Sequence, residues 1–226
     1  MAEHAIDIIT YQLEALGDGY ERGFAALKSE FEGMSIEEFT ASRPATRFIL
    51  RWMRDLKLFD RRLSALFRRK KQPPVADGFT AAVAVCLEQF LSAHGLSGCV
   101  RSEETTIPKK GATRPDVSVR NRKDELIATI ECKTNLGWAR STWKASHESR
   151  SSNLQILFPD CTAYLCVMTQ RNWDSSELEQ SEFYEREWFC LSNSDVLTLA
   201  PEIPDECILT PIEPMFVELL RKLNEK

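Results

Sequence analysis

The chain of 226 residues has only three histidines (His4, His94, His147), seven cysteines without a CxxC pair, and no apolar run long enough to span a bilayer. Structural zinc needs four nitrogen or sulfur ligands at close, recurring spacings, and neither residue type supplies them here. The cysteine count is odd, and most cysteines lie inside apolar runs such as Ala84-Val85-Cys86-Leu87 and Tyr164-Leu165-Cys166-Val167. A disulfide framework is therefore not expected, and these thiols read as small buried hydrophobes, with Cys132 set apart for its neighbours. With 9 Gly and 10 Pro in a chain that is 43% hydrophobic and 28% charged, collagenous and disordered classes are excluded. The amino end carries Glu3 and Asp7 where a secretory leader would carry basic residues, so a cytoplasmic location without a membrane partner is expected. No internal repeat or low-complexity tract is evident.

An overall basic character is also missing, since the net charge is −5. The charges are segregated along the chain, however. Residues 1–39 carry 2 basic and 9 acidic groups, residues 40–76 carry 11 and 2, and the remainder carry 16 and 23. Phosphate binding needs a local excess of Lys and Arg and not a basic whole, so the middle segment is compatible with nucleic acid.

Apolar residues at helical spacing (Ile6, Ile9, Leu13, Leu16, then Phe24, Leu27, Phe31) predict helices up to Gly33. Ser35 and Glu38 have the spacing of a capping box, which starts a short helix before Arg43-Pro44. A longer helix is expected from about Ala45 to Arg69, with Ile49, Met53, Leu56 and Leu63 on one side and most arginines elsewhere. Its cluster Arg68, Arg69, Lys70, Lys71 is a candidate phosphate-binding surface; the same helix can alternatively neutralise the acidic segment before it. Gln72-Pro73-Pro74 reads as a linker, which divides the chain into a helical region 1–74 and a second domain 75–226.

Beyond the linker, Asp77 is placed to cap a largely apolar helix that Gly95 ends, and Glu88 is the lone acidic residue within it. Strands are expected at about Cys99–Ile107, Arg114–Arg120 and Leu126–Lys133, a helix over 141–157, a buried strand Cys161–Thr169, another over 187–191, and a closing amphipathic helix through Phe216, Leu219 and Leu223. The polar stretch 121–125 joins the second and third strands as a hairpin. A hairpin symmetric about it pairs Val117 with Ile130 and Val119 with Ala128 on an apolar face. On the other face Asp116 comes opposite Glu131, with Lys133 one step along and Arg114 across from it. Two opposed carboxylates call for a compensating cation, and magnesium, which takes one or two carboxylates with waters and phosphate oxygens, answers that need. Lys133 would then stabilise charge on a phosphate or orient a water, which is the chemistry of metal-assisted phosphodiester hydrolysis.

Pro115-Asp116, followed by Glu131-Cys132-Lys133, resembles the signature of the PD-(D/E)xK nuclease superfamily over roughly residues 77–170. The resemblance implies an α/β fold with a restriction-endonuclease-like core of helix, three strands, helix and strand, here carrying an N-terminal helical extension. It implies a Mg2+-dependent DNA endonuclease (Mn2+ substituting) of restriction, repair or phage-defence type. Asp116, Glu131 and the backbone carbonyl of Cys132 would be the metal ligands and Lys133 the catalytic lysine, with Glu88 as an additional carboxylate. Arg140 and Lys144, with His147, Trp138, Trp143 and Gln155 nearby, suggest a helix that grips the phosphate backbone. RNA is an alternative substrate, and a homodimer or larger defence or repair complex fits a requirement for two cuts. A non-catalytic nucleic-acid-binding or assembly subunit is the reading from a different class.

Overall fold

The computed structural model describes residues 18–66, 76–106, 114–136, 142–170 and 183–225. Helix α1 (18–32), α2 (Ile36–Ser42), α3 (Pro44–Leu66) and α4 (Ala76–Ala93) lead into strands β1 (Val100–Ser102), β2 (Val117–Arg120) and β3 (Leu126–Lys133). Helix α5 (Trp143–Leu157), β4 (Thr162–Thr169), β5 (Trp188–Ser192) and α6 (Glu213–Asn224) follow, with two short 3-10 turns before α6. The helices expected around Ile6 to Leu16, the cluster Arg68 to Lys71, Arg140 and Trp138 lie outside the described residues.

The strands form one mixed sheet in the order β1-β2-β3-β4-β5, antiparallel from β1 to β3 and parallel from β3 to β5. Period-two alternation splits its side chains between two layers of helix. Val117, Ile130, Cys132, Tyr164, Cys166 and Phe189 face the helices α1 to α4 and α6, while Leu165, Val167, Trp188 and Cys190 face the α5 side. Six of the seven thiols are buried, Cys132 among them, so that residue too is a core hydrophobe by its side chain.

The hairpin adopts the expected register, pairing Val117 with Ile130 and Val119 with Ala128. Closer to the turn the register shifts so that Arg120 faces Leu126, which leaves Ile127 as the extra residue of a bulge and lets it join the same core as Ala128. Asn121 closes the turn through its side chain, whose oxygen accepts from Lys123 N at 3.0 Å and Glu125 N at 2.9 Å. Two strands are shorter than expected. The left-handed backbone of Glu103 (φ 54°) ends β1 at Ser102, and Pro115, having no N–H, cannot extend the ladder below Asp116. Asp77 lies within the first turn of α4, not ahead of it.

The capping box at α2 forms as its spacing predicts, with Ser35 Oγ accepting from Glu38 N and Glu38 accepting from Ser35 N. The start of α3 is capped from far away instead. Glu213, fully buried, accepts from Thr46 N at 2.8 Å and from Thr46 Oγ1 at 2.7 Å, and that hydroxyl accepts from Ile212 N at 2.9 Å. The N-termini of α3 and α6 thus satisfy each other's orphan amides. Phe31, Phe39, Phe90 and Phe216 meet around Phe90, with the Phe39 ring 4.4 Å from it. The boundary expected near residue 75 is therefore not a break in packing: one core cluster runs from Leu27 to Leu223.

Among the described residues, no ion pair joins the basic residues of 43–66 to the acidic segment before them. Arg43 and Arg47 pair with Asp205, Arg54 donates to Leu199 O at 2.8 Å, and Lys57 sits 3.7 Å from Asp195, all in the loop between β5 and α6. Contact with α1 is aromatic, through Tyr20 and Phe24 against Trp52. No helix of the described residues is long and apolar enough to cross a membrane.

Two measurements test this packing. Phe90→Ala is expected to cost about 3–5 kcal/mol in denaturant unfolding, since it removes the ring that four elements share. Burial pushes the Glu213 carboxyl above its ordinary 4.5, the hydrogen bonds from Thr46 opposing it. A carboxyl raised on folding favours the native state at low pH and ceases to do so as pH climbs from that ordinary value through the folded one. The stability of Glu213→Gln relative to wild type is therefore expected to improve from pH 4.5 upward, and a flat difference across that range would contradict it.

Candidate active site

The lower end of the β2–β3 hairpin brings Asp116, Glu131 and Lys133 together. Glu131 and Lys133 are odd-numbered positions on β3 and so point to the α5 side, away from the core that holds Ile130 and Cys132. Asp116 stands one residue before β2, just outside the ladder, and its Oδ2 accepts from Cys132 N at 2.7 Å. Lys133 Nζ lies 2.5 Å from Glu131 Oε1 and 3.9 Å from Asp116 Oδ2. The other Glu131 oxygen, Oε2, pairs with the Arg150 guanidinium from α5. Side-chain exposure rises from 16% for Glu131 to 30% for Asp116 and 44% for Lys133, so the group opens to solvent from a half-buried floor.

Burial raises the Asp116 carboxyl above its ordinary range; the Cys132 N–H opposes that and the neighbouring Glu131 carboxylate adds to it. The Cys132 thiol is raised far more, by complete burial, and is inert as an acid or nucleophile. Its contribution to the site is its backbone.

Arg150 was not among the candidates from sequence. Its signal was the spacing Trp143, His147, Arg150, Leu154, which is one face of a helix. All four turn inward: Trp143, His147 and Leu154 are buried, while Gln155 is exposed. Between that face and β3 lies a cleft of about 130 Å³ bordered by Glu131, Lys133, Ser146, His147 and Arg150. Burial pushes His147 down to about 4, with the Arg150 charge adding to that shift. The ring is neutral at physiological pH. It stands edge-on to Trp188 at 5.7 Å.

The structure does not bring Glu88 to this group. Its carboxylate accepts from Gly98 N at 2.7 Å, Ser92 Oγ at 3.2 Å and Val100 N at 3.3 Å, bracing the turn between α4 and β1. Val100 pairs with Val119 and Glu103 N bonds to Asp116 O, so Glu88 is anchored about 10 Å of strand away from Asp116. The burial that made a carboxylate conspicuous on α4 is met by backbone amides. Arg114 also departs from its expected place across from Lys133, since it bonds to the carbonyl and carboxylate of Glu103. Lys144 is exposed on α5, its Nζ 6.0 Å from the centre of the Trp188 ring.

A hard divalent cation suits the donors at this place, which are carboxylate oxygens without competing thiolate or available imidazole. Asp116 Oδ1 has no hydrogen-bond partner among the described residues, and Glu131 is held only by cations that a metal can replace. Two acidic and two basic side chains make the group neutral as it stands. No cluster of three or more His, Cys, Asp or Glu able to hold a metal occurs among the described residues; two carboxylates with backbone and water oxygens are what magnesium commonly takes.

No family profile and no curated protein matches the chain. A solved structure described as "native BbvCI A2B2 tetramer at low resolution" matches with a TM-score of 0.35 and 13% identity over 89% of this chain and 95% of the other. A likeness at that score carries no argument, and the functional reading rests on the geometry of the site.

Replacing Asp116 by asparagine keeps an acceptor for Cys132 N and removes a charge that folding disfavours. The melting temperature of Asp116→Asn at pH 7.5 is expected to equal or exceed that of wild type. The difference should shrink as pH falls toward the ordinary carboxyl value of 3.8, where both side chains are neutral; a variant less stable at pH 7.5 would show that the charge is structural.

Proposed function

We propose that this chain is a metal-dependent nuclease that hydrolyses phosphodiester bonds, with DNA as its substrate and a restriction-endonuclease-like core carrying the site. The observation that supports this reading is the convergence of Asp116, Glu131 and Lys133 at one end of a hairpin, with the lysine ammonium within reach of both carboxylates. Asp116, Glu131 and the Cys132 carbonyl would hold Mg2+ or Mn2+, which supplies positive charge against a phosphate oxygen and makes water a better nucleophile.

Lys133 is the mobile charge of the site. Released from Glu131, its ammonium can donate to the phosphate's non-bridging oxygens as negative charge builds on them, or orient the attacking water. Glu131 and Asp116 hold the lysine above the hairpin end, and the Cys132 N–H fixes the Asp116 carboxylate in place. Hydrolysis forms one bond from water oxygen to phosphorus and breaks one from phosphorus to the sugar oxygen, which recovers a proton from solvent. One such site cuts one strand, so a double-strand break requires two copies, or two visits.

Purified protein incubated with supercoiled plasmid and magnesium is expected to nick and linearise it. Lys133→Ala and Asp116→Asn should each slow cutting by about 10²-fold or more, the loss typical of a charge-stabilising group. Equal cutting by wild type and Lys133→Ala removes this mechanism; tight DNA binding without cleavage under any divalent metal favours the non-catalytic binding subunit. Replacing plasmid with RNA in the same assay separates the two substrate classes.

A further inference from the structure

We propose that the cleft between β3 and the inward face of α5 is a phosphate subsite in which Arg150 and Ser146 hold a phosphodiester of the substrate backbone; this rests on the nuclease reading above. The cleft, about 130 Å³, has room for several water molecules and so for a phosphate group. Lys133 and Arg150 border it with Glu131, and Asp116 balances the second cation, so the group is neutral as it stands and would become net positive when a dication joins it. The Arg150 guanidinium is a planar fork of five donors that matches phosphate geometry, and its partner among the described residues is a single oxygen of Glu131.

Hydrogen-bonding capacity in the cleft is left unspent. The Ser146 hydroxyl is exposed at the cleft and makes no hydrogen bond among the described residues, so a ligand can take it from solvent, while its backbone N–H donates to Thr142 O at 2.9 Å. His147, only 6% exposed, borders the same cleft, but its Nε2 is sealed from solvent and takes no part in the subsite. The charge balance points the same way: a dication that took Glu131 would free the Arg150 guanidinium from its counter-ion, and a phosphate is the anion then available to it.

The opposing explanation is that Arg150 only orients Glu131. The full-length chain separates the two through binding alone, by fluorescence anisotropy of a labelled DNA duplex in calcium over a salt series, and by calorimetric titration of manganese without DNA. Arg150→Met is expected to weaken DNA binding about tenfold or more and to lower the slope of log K against log salt by about 0.9, the signature of one lost phosphate contact. Arg150→Lys should restore the slope without the full affinity, and Ser146→Ala should cost a smaller factor at unchanged slope. Manganese binding by Arg150→Met should be equal or tighter, because a competing cation has gone. An unchanged salt slope, or weakened manganese binding, overturns the subsite while leaving the nuclease reading intact if wild type cuts. A wild-type chain that binds neither manganese nor DNA sinks both.

Discussion

Slipping β2 against β3 by one residue would turn every side chain of one strand to the opposite face, because strand side chains alternate with period two. The site depends on that register more than on any single contact. In the observed pairing Val117, Val119, Ala128 and Ile130 are all within the large core, where a slip would bring in Ser118 if β2 turned, or Thr129 and Glu131 if β3 did. Burial of four apolar side chains is worth several kcal/mol on the order of 25 cal/mol per Å², so the hydrophobic face of the hairpin enforces the polar one. The hydrogen bond from Cys132 N to Asp116 Oδ2 then joins the two strand ends beyond the last ladder pair. Positioning of the acidic groups is thereby delegated to residues with no chemistry of their own.

Electrostatics at the site follows from how that arrangement is neutralised. Opposed carboxylates on a sheet repel, so Asp116 and Glu131 together call for positive charge beside them. The structure answers it first with side chains: Lys133 takes one oxygen of Glu131 and Arg150 the other. An ion pair that is partly exposed is worth little on its own, often under ~1 kcal/mol, so these contacts hold the side chains only weakly against competing ions.

What the sequence made legible tracks the range of the interactions concerned. The hairpin register, the capping box at Ser35 and the burial of β4 follow from local spacing, and each agrees with the structure. Glu88 illustrates the limit. Its position on an apolar helix marked it as needing partners, yet helix periodicity says nothing about whether those partners are acids across a site or amides in the next turn, and they proved to be Gly98 N and Val100 N. Arg150 was hidden for the reverse reason, since an arginine on a helix of mixed polarity looks like solvent decoration until its phase with Trp143, His147 and Leu154 is taken together. The counter-charges of α3 were invisible as well: Asp205 and the carbonyl of Leu199 are about 150 residues away, a separation at which no pattern within the helix carries information.

Long-range pairing of this kind also explains why the N-terminal helices belong to the same folding unit as the sheet. Glu213 and Thr46 are 167 positions apart, and each leaves a buried polar group stranded if the other is removed. An unsatisfied buried donor costs about 1–3 kcal/mol, so detaching α3 from α6 exposes apolar surface and orphans amides at two helix ends at once. The core cluster from Leu27 to Leu223 adds the Phe39, Phe90 and Phe216 contacts to the same boundary. Helix α4, which backs β3 from the face opposite the site, is clamped between these elements and the sheet. Rigidity of the hairpin end is therefore supplied from behind, by helices that touch none of the three groups on its front.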